Sequence, residues 1–234
     1  MALDTYSGLQ TSIAGFLNRS DLISIIPDFI TLAESQMHRR FVGRQRQGLP
    51  IPRRMVGRSD ATISTSDEYI AVPSDFAGPL SFTLDSDPIT VLDYLDSQNL
   101  QEWKASTAAA TTSGQPPRFY AVVGGEFQLY PIADQDYTGE LTYIKRVAAL
   151  TDTNTTNWVL ADYPDAYLYG ALVQSAPYLK DDGRLEVWGT LFTAALDDIC
   201  NADPTPPEMS TLRTEFPMLT RLGRYAYDIQ TDVP

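Results

Sequence analysis

The 234-residue sequence has a single cysteine, Cys200, and a single histidine, His38. One thiol rules out an intrachain disulfide, and the two residues together cannot form a His/Cys zinc cage within one chain. Positive charge is also scarce: 17 Lys and Arg stand against 30 Asp and Glu, for a net charge of −13 and a pI near 4.3. Affinity for a polyanion comes mainly from neutralising phosphates, so this balance argues against a dedicated nucleic-acid binder and leaves room only for local DNA contact. No apolar run approaches the roughly 18 residues of a membrane span, so no membrane partner is expected. The opening MALDTYSGLQ has neither the basic start nor the continuous apolar stretch of a signal peptide. The expected setting is a cytoplasm, or a particle assembled there.

The signatures of catalysis are missing as well. No GxSxG elbow is present, one histidine would have to serve any triad, and no GxxxxGK[ST] loop occurs. His38 stands beside Arg39 and Arg40, whose charge makes it a poor base. Cys200 follows Ile199 on an apolar helical pattern and is expected to be a buried, inert thiol. The pairs Asp181-Asp182 and Asp197-Asp198 fall on or beside polar helix faces, where solvated charge is the ordinary explanation. No catalytic, cofactor-binding or metal-binding residue is assigned, and the chain is not expected to be an enzyme.

What the sequence does contain is pattern. With 43% apolar and 11% aromatic residues it can bury enough surface to be globular. Leu3, Tyr6, Leu9, Ile13, Phe16 and Leu17 recur at helical steps, with Asp4 placed to cap them. Pro27 and Asp28 open a second helix over residues 27–42, with Phe29, Ile30, Ala33, Met37 and Phe41 on one face and an end near Gly43. Residues 44–61, broken by Gly48, Pro50, Pro52 and Gly57, suit an extended loop. The period then drops to two over residues 61–65, 68–72, 77–84 and 87–92. A hairpin is expected from Phe119 to Tyr130 about Gly124-Gly125, followed by a strand over residues 140–146. Residues 93–105 suit a short helix, and residues 106–117, rich in small side chains, a mobile loop.

Helical spacing returns over residues 164–180, through Ala166, Tyr169, Leu172, Val173, Ala176 and Leu179. It resumes after Gly183, with Leu185, Trp188, Leu191, Phe192, Ala195, Leu196 and Ile199 expected inside. The fold class predicted is therefore α+β: a helical bundle formed by N- and C-terminal helices, with a central β-rich insertion and an extended C-terminal arm. The expected divisions are residues 1–45 with 160–205, residues 46–159, and residues 206–234.

Two features point to contact with other molecules. Arg39, Arg40, Arg44, Arg46, Arg53, Arg54 and Arg58 cluster where no acid intervenes, so the rest of the chain carries 30 acids against 10 bases. Such segregation in an acidic chain suits an acidic partner surface or a DNA backbone, although pairing with acidic faces of the same chain would also account for it. The C-terminal stretch has no sustained period yet keeps Phe216, Leu219, Leu222, Tyr225 and Tyr227 among Arg213, Arg221 and Arg224. These suit an arm that orders against a neighbour, although packing on its own chain is the alternative.

Four motifs stand in a specific order: LNR, IPDFI with LAE, PPRFY followed by a glycine turn, and PDAYLYGAL. Together, over residues 6–200, they resemble the phage head-to-tail adaptor, or connector, family, which is related to the tail tubular A adaptor of short-tailed phages. The resemblance implies a structural virion protein at the head-tail interface, assembled in the host cytoplasm. It implies a homo-oligomeric, dodecameric ring that joins the portal protein to a tail tube or nozzle protein. Such a ring would line a channel through which DNA passes without sequence-specific binding. A tail completion or stopper protein, or a muralytic virion enzyme, are the alternatives.

Overall fold

The computed structural model describes residues 3–65, 67–106, 115–179 and 183–202. The chain begins with α1 (Tyr6–Leu17) and α2 (Ile26–Arg46). Thr5, and not Asp4, caps α1: its Oγ1 accepts the Gly8 N–H at 3.3 Å. Helix α2 runs through Gly43 and stops at Gln47, where Gly48 takes a left-handed φ of 69°. The stretch expected to be loop therefore loses both ends. Its first residues continue α2, and its last belong to β1 (Val56–Ile63), which follows a 3₁₀ turn at Arg53–Met55.

Next come β2 (Tyr69–Ala71), β3 (Phe76–Leu84), β4 (Thr90–Tyr94), α3 (Ser97–Ser106), β5 (Phe119–Val123), β6 (Glu126–Tyr130) and β7 (Tyr137–Lys145). The β5–β6 hairpin turns through Gly124 and Gly125 at φ 61° and 96°, angles that a side chain would strain. Helix α3 is a crossover: it lets β4 and β5 lie side by side in parallel, which a tight turn cannot do. Three helices complete the described residues: α4 (Trp158–Asp162), α5 (Pro164–Leu179) and α6 (Leu185–Ala202).

The strands form one seven-stranded sheet in the order β1-β7-β3-β4-β5-β6-β2. Ile63 of β1 and Ile70 of β2, at opposite ends of that order, pack into the same apolar cluster as Phe82, Leu92, Tyr120, Phe127 and Leu141. A flat sheet would hold its edges about six strand spacings of roughly 4.8 Å apart. A shared core therefore requires the sheet to curl into a near-barrel around its own interior. Aromatic edges fill that interior: Phe82 meets Tyr120 at 5.6 Å, and Phe76 meets Phe127 at 5.3 Å.

This corrects the expected architecture. The β-rich part is not an insertion into a helical bundle but a curled sheet with a core of its own. The two parts are also continuous, because Ile51, Met55, Ile144 and Leu150 lie in the helical core. Alternation along a strand indicates two faces, but not that seven inner faces converge. The expected arm falls outside the described residues, as do residues 107–114 of the expected mobile loop.

Within the helical part, α5 packs against both α2 and α6. Small residues allow this close approach: a Cβ on Gly170 would lie 2.8 Å from the Phe192 ring and 3.0 Å from the Ala33 Cβ. Beyond the expected face, Tyr167, Leu168 and Ala171 are buried too, which suits a helix covered on several sides. On α6, Leu185 and Leu191 were expected inside but are 43% and 39% exposed, because the core takes up Trp188, Phe192, Leu196 and Ile199 instead.

A partly buried polar junction ties helices to sheet. Glu34 Oε1 accepts the Leu150 N–H at 2.8 Å and the Tyr167 hydroxyl at 3.0 Å. Asn157 Nδ2 donates to Tyr167 Oη at 2.6 Å and to the Ala148 carbonyl at 2.7 Å. Burial raises the Glu34 pKa above the usual carboxylate range, opposed by the bonds from Leu150 and Tyr167. A second cluster holds the short edge strand β2. Gln128 Nε2 donates to Glu68 at 2.6 Å and to Tyr69 Oη at 2.9 Å, and the Lys104 ammonium bonds Glu68 and lowers its pKa.

Candidate interface

The arginine cluster is distributed over three structural elements. Met37 and Phe41 turn the inner face of α2 into the core, which leaves Arg40 and Arg44, one turn apart, on the flank toward α6. There Asp197 receives both, at 3.0 Å from Arg40 and 3.8 Å from Arg44. Arg44 Nε also donates to the Pro50 carbonyl at 3.3 Å, bracing the chain as it leaves the helix. Arg39 and Arg46 are exposed and have no ion-pair partner among the described residues.

Arg53 and Arg54 sit on the 3₁₀ turn. Arg54 pairs with Asp162 at the end of α4, and its guanidinium lies 6.0 Å from the Trp158 ring centre. Arg58, on β1, pairs with Glu140 on β7. Among the described residues, Arg40, Arg44, Arg54 and Arg58 thus meet carboxylates of their own chain. Apart from the Arg44 side chain, which is 16% exposed, the paired groups are well exposed, so each of the other pairs stabilises the fold by about 0–1 kcal/mol after screening. The structure brings Arg39, Arg40 and Arg44 together, and sets Arg53 and Arg54 apart from them beside α4. Phe216, Leu219, Leu222, Tyr225 and Tyr227 lie outside the described residues.

Between α2 and α6 the surface opens into a pocket of about 290 Å³, lined by Gln36, Arg39, Arg40, Phe192, Thr193 and Leu196. Only the edges of the otherwise buried Phe192 and Leu196 show in it, and it carries two guanidinium groups. Such a site suits an apolar side chain flanked by carboxylates, because Arg offers several donors in a planar fork. Periodicity alone does not reveal Asp197, which organises this rim from 157 positions away in sequence.

The two singular residues have environments of their own. His38 Nδ1 is buried without a hydrogen-bond partner, and burial, together with the Arg146 charge, lowers the ring pKa. The effective neighbouring charge is therefore Arg146 from the sheet side, and not the adjacent Arg39 and Arg40. Cys200 is fully buried, and burial raises its thiol pKa, as the apolar pattern around it leads one to expect. Of the paired carboxylates, Asp197 is occupied by arginines, while Asp181 and Asp182 fall outside the described residues. Among the described residues, no helix is long and apolar enough to cross a membrane.

With this geometry in place, comparison with known families gives a match to the SU10 adaptor protein across residues 4–214. The chain belongs to the SU10 adaptor protein family. No curated protein matches it. The family is one of structural phage proteins and not an enzyme family, so the chain is a phage structural adaptor, a virion component that meets other head and tail proteins. The match takes in the helices and the whole sheet. It also extends to residue 214, past the end of the motif resemblance near residue 200.

Proposed function

We propose that the chain is a head-to-tail adaptor subunit, repeated as a dodecameric ring between the portal protein and a tail tube or nozzle protein. The observation that carries this reading is the arginine surface at the end of α2. In a chain of net charge −13, Arg39 and Arg46 remain exposed without an acidic partner among the described residues. Family membership supplies the class, and this surface supplies a contact within it.

In this reading Arg39, Arg40, Arg44, Arg46, Arg53 and Arg54 face a neighbouring subunit or the portal. Phe216, Leu219, Leu222, Tyr225 and Tyr227 add apolar anchors from the arm. The surplus of acids favours a channel wall that repels DNA, so that the duplex passes without sequence-specific binding.

The test is the double variant Arg39→Ser with Arg46→Ser, which leaves every ion pair among the described residues intact. It should unfold within about 0.5 kcal/mol of the wild type, as surface changes do. Its attachment to portal-bearing heads, counted by electron microscopy, should fall by about tenfold, the loss expected when charged contacts are removed from an interface. Wild-type attachment by this variant would refute the reading. Capture by tail tube alone would place the chain with tail completion proteins instead.

A further inference from the structure

The charges of this chain are segregated more sharply than its net value conveys. Residues 39–58 carry seven arginines and no acid, while residues 59–103 carry nine acids and no Lys or Arg. In the second block, the turn of the β3–β4 hairpin carries Asp85 and Asp87 just ahead of Ile89. Ile89 is 70% exposed, the highest value among the exposed large hydrophobic residues described. Val91, two residues further along, is also exposed. The hairpin end is held in shape: Ser86 Oγ donates to the Pro88 carbonyl at 2.7 Å and bonds Thr90 Oγ1 at 2.9 Å. Asp85 accepts the Thr138 hydroxyl at 3.0 Å, and Asp87 is exposed with no side-chain partner among the described residues.

This knob is the chemical complement of the α2–α6 pocket. One offers two carboxylates followed by an exposed aliphatic group; the other offers a concavity edged by Arg39 and Arg40, into which only the edges of the otherwise buried Phe192 and Leu196 show. No hairpin residue lines the pocket within the same chain. We propose that the β3–β4 hairpin of one copy docks into the α2–α6 pocket of the next, with Ile89 entering the concavity beside Thr193 and with Asp85 and Asp87 meeting Arg39, the pocket arginine that Asp197 does not hold. The contact joins two different surfaces, so it is heterologous, the kind whose repetition builds a ring when the rotation from copy to copy divides a full turn. The inference rests on the ring reading above and specifies the contact that builds it.

The test uses two full-length variants, Arg39→Glu and the pair Asp85→Arg with Asp87→Arg. In either one alone, like charges face each other at every contact, and rings on portal-bearing heads should fall at least about tenfold. Mixed in equal amounts, the two can alternate, so that each reversed pocket meets a reversed hairpin. Rings should then recover to within about threefold of wild type, since opposite charges again meet at every contact. As a second measurement, Ile89→Cys with Thr193→Cys should give disulfide-linked ladders in oxidised particles, because the native Cys200 is buried.

Normal rings from either variant alone, no recovery on mixing, or rings without cross-links would each overturn this contact while leaving the ring standing. Wild-type particles without a ring of this chain would overturn the ring reading, and the contact with it.

Discussion

Glu34 allows the junction between helices and sheet to be tested with two substitutions of opposite expectation. Its Oε1 satisfies two donors: the N–H of Leu150, on the chain leaving β7, and the hydroxyl of fully buried Tyr167 on α5. Glu34→Leu would orphan both, and an unsatisfied buried donor costs about 1–3 kcal/mol. Removing a buried carboxylate returns part of that sum, so the net loss should be about 2–4 kcal/mol. Glu34→Gln keeps a carbonyl oxygen in place, and its cost at neutral pH should stay below about 1 kcal/mol.

The pH dependence supplies a further check. The folded-state pKa of Glu34 is raised, so the folded state holds this proton more tightly than the unfolded chain does. The contribution of the acid is therefore fully present below its unfolded value of about 4.3 and is lost as pH rises through the folded value. Urea unfolding at several pH values should show the wild type losing ground to Glu34→Gln as pH rises through that window. Equal costs for the Leu and Gln variants, or a loss below about 1 kcal/mol for Leu, would refute the account of the junction.

Two further outcomes follow from the packing. Gly170→Ala puts a methyl group within contact distance of both Phe192 and Ala33, and thermal unfolding should register a loss of about 1–3 kcal/mol. His38 has a lowered pKa in the folded state, so the stability it contributes is present above about pH 6.5 and is lost as pH falls through the folded value. His38→Gln should flatten the fall in stability on acidification, and an unchanged slope would show that the ring does not titrate between these states.

The helices were legible because one-sided burial leaves a period in the sequence. Phe29, Ile30, Ala33, Met37 and Phe41 all point into the core of α2 as their spacing predicts. The prediction weakened where a helix is covered on more than one side, as with Tyr167 and Leu168 on α5, because such a helix has no clean stripe. Strand positions were visible, but the curl of the sheet was not, since each strand shows only its own alternation. The arginine cluster looked like one patch because sequence shows adjacency and not distant partners. Asp197, Asp162 and Glu140 meet Arg40, Arg54 and Arg58 across 157, 108 and 82 positions.

Those distant pairings bear on which partner the arginine surface favours. A phosphate would have to displace a carboxylate already bonded to Arg40, Arg54 or Arg58. Arg39 and Arg46 acting alone would neutralise two phosphates, for a salt slope of about −1.8, far below that of proteins that retain DNA. The remaining charge of the chain opposes even that contact. A protein partner can use what a phosphate backbone cannot: the shape of the α2–α6 concavity, where Gln36 and Thr193 stand beside Arg39. The arginines then add orientation and selectivity to a contact made by shape, while a duplex passing nearby finds too few free cations to be held.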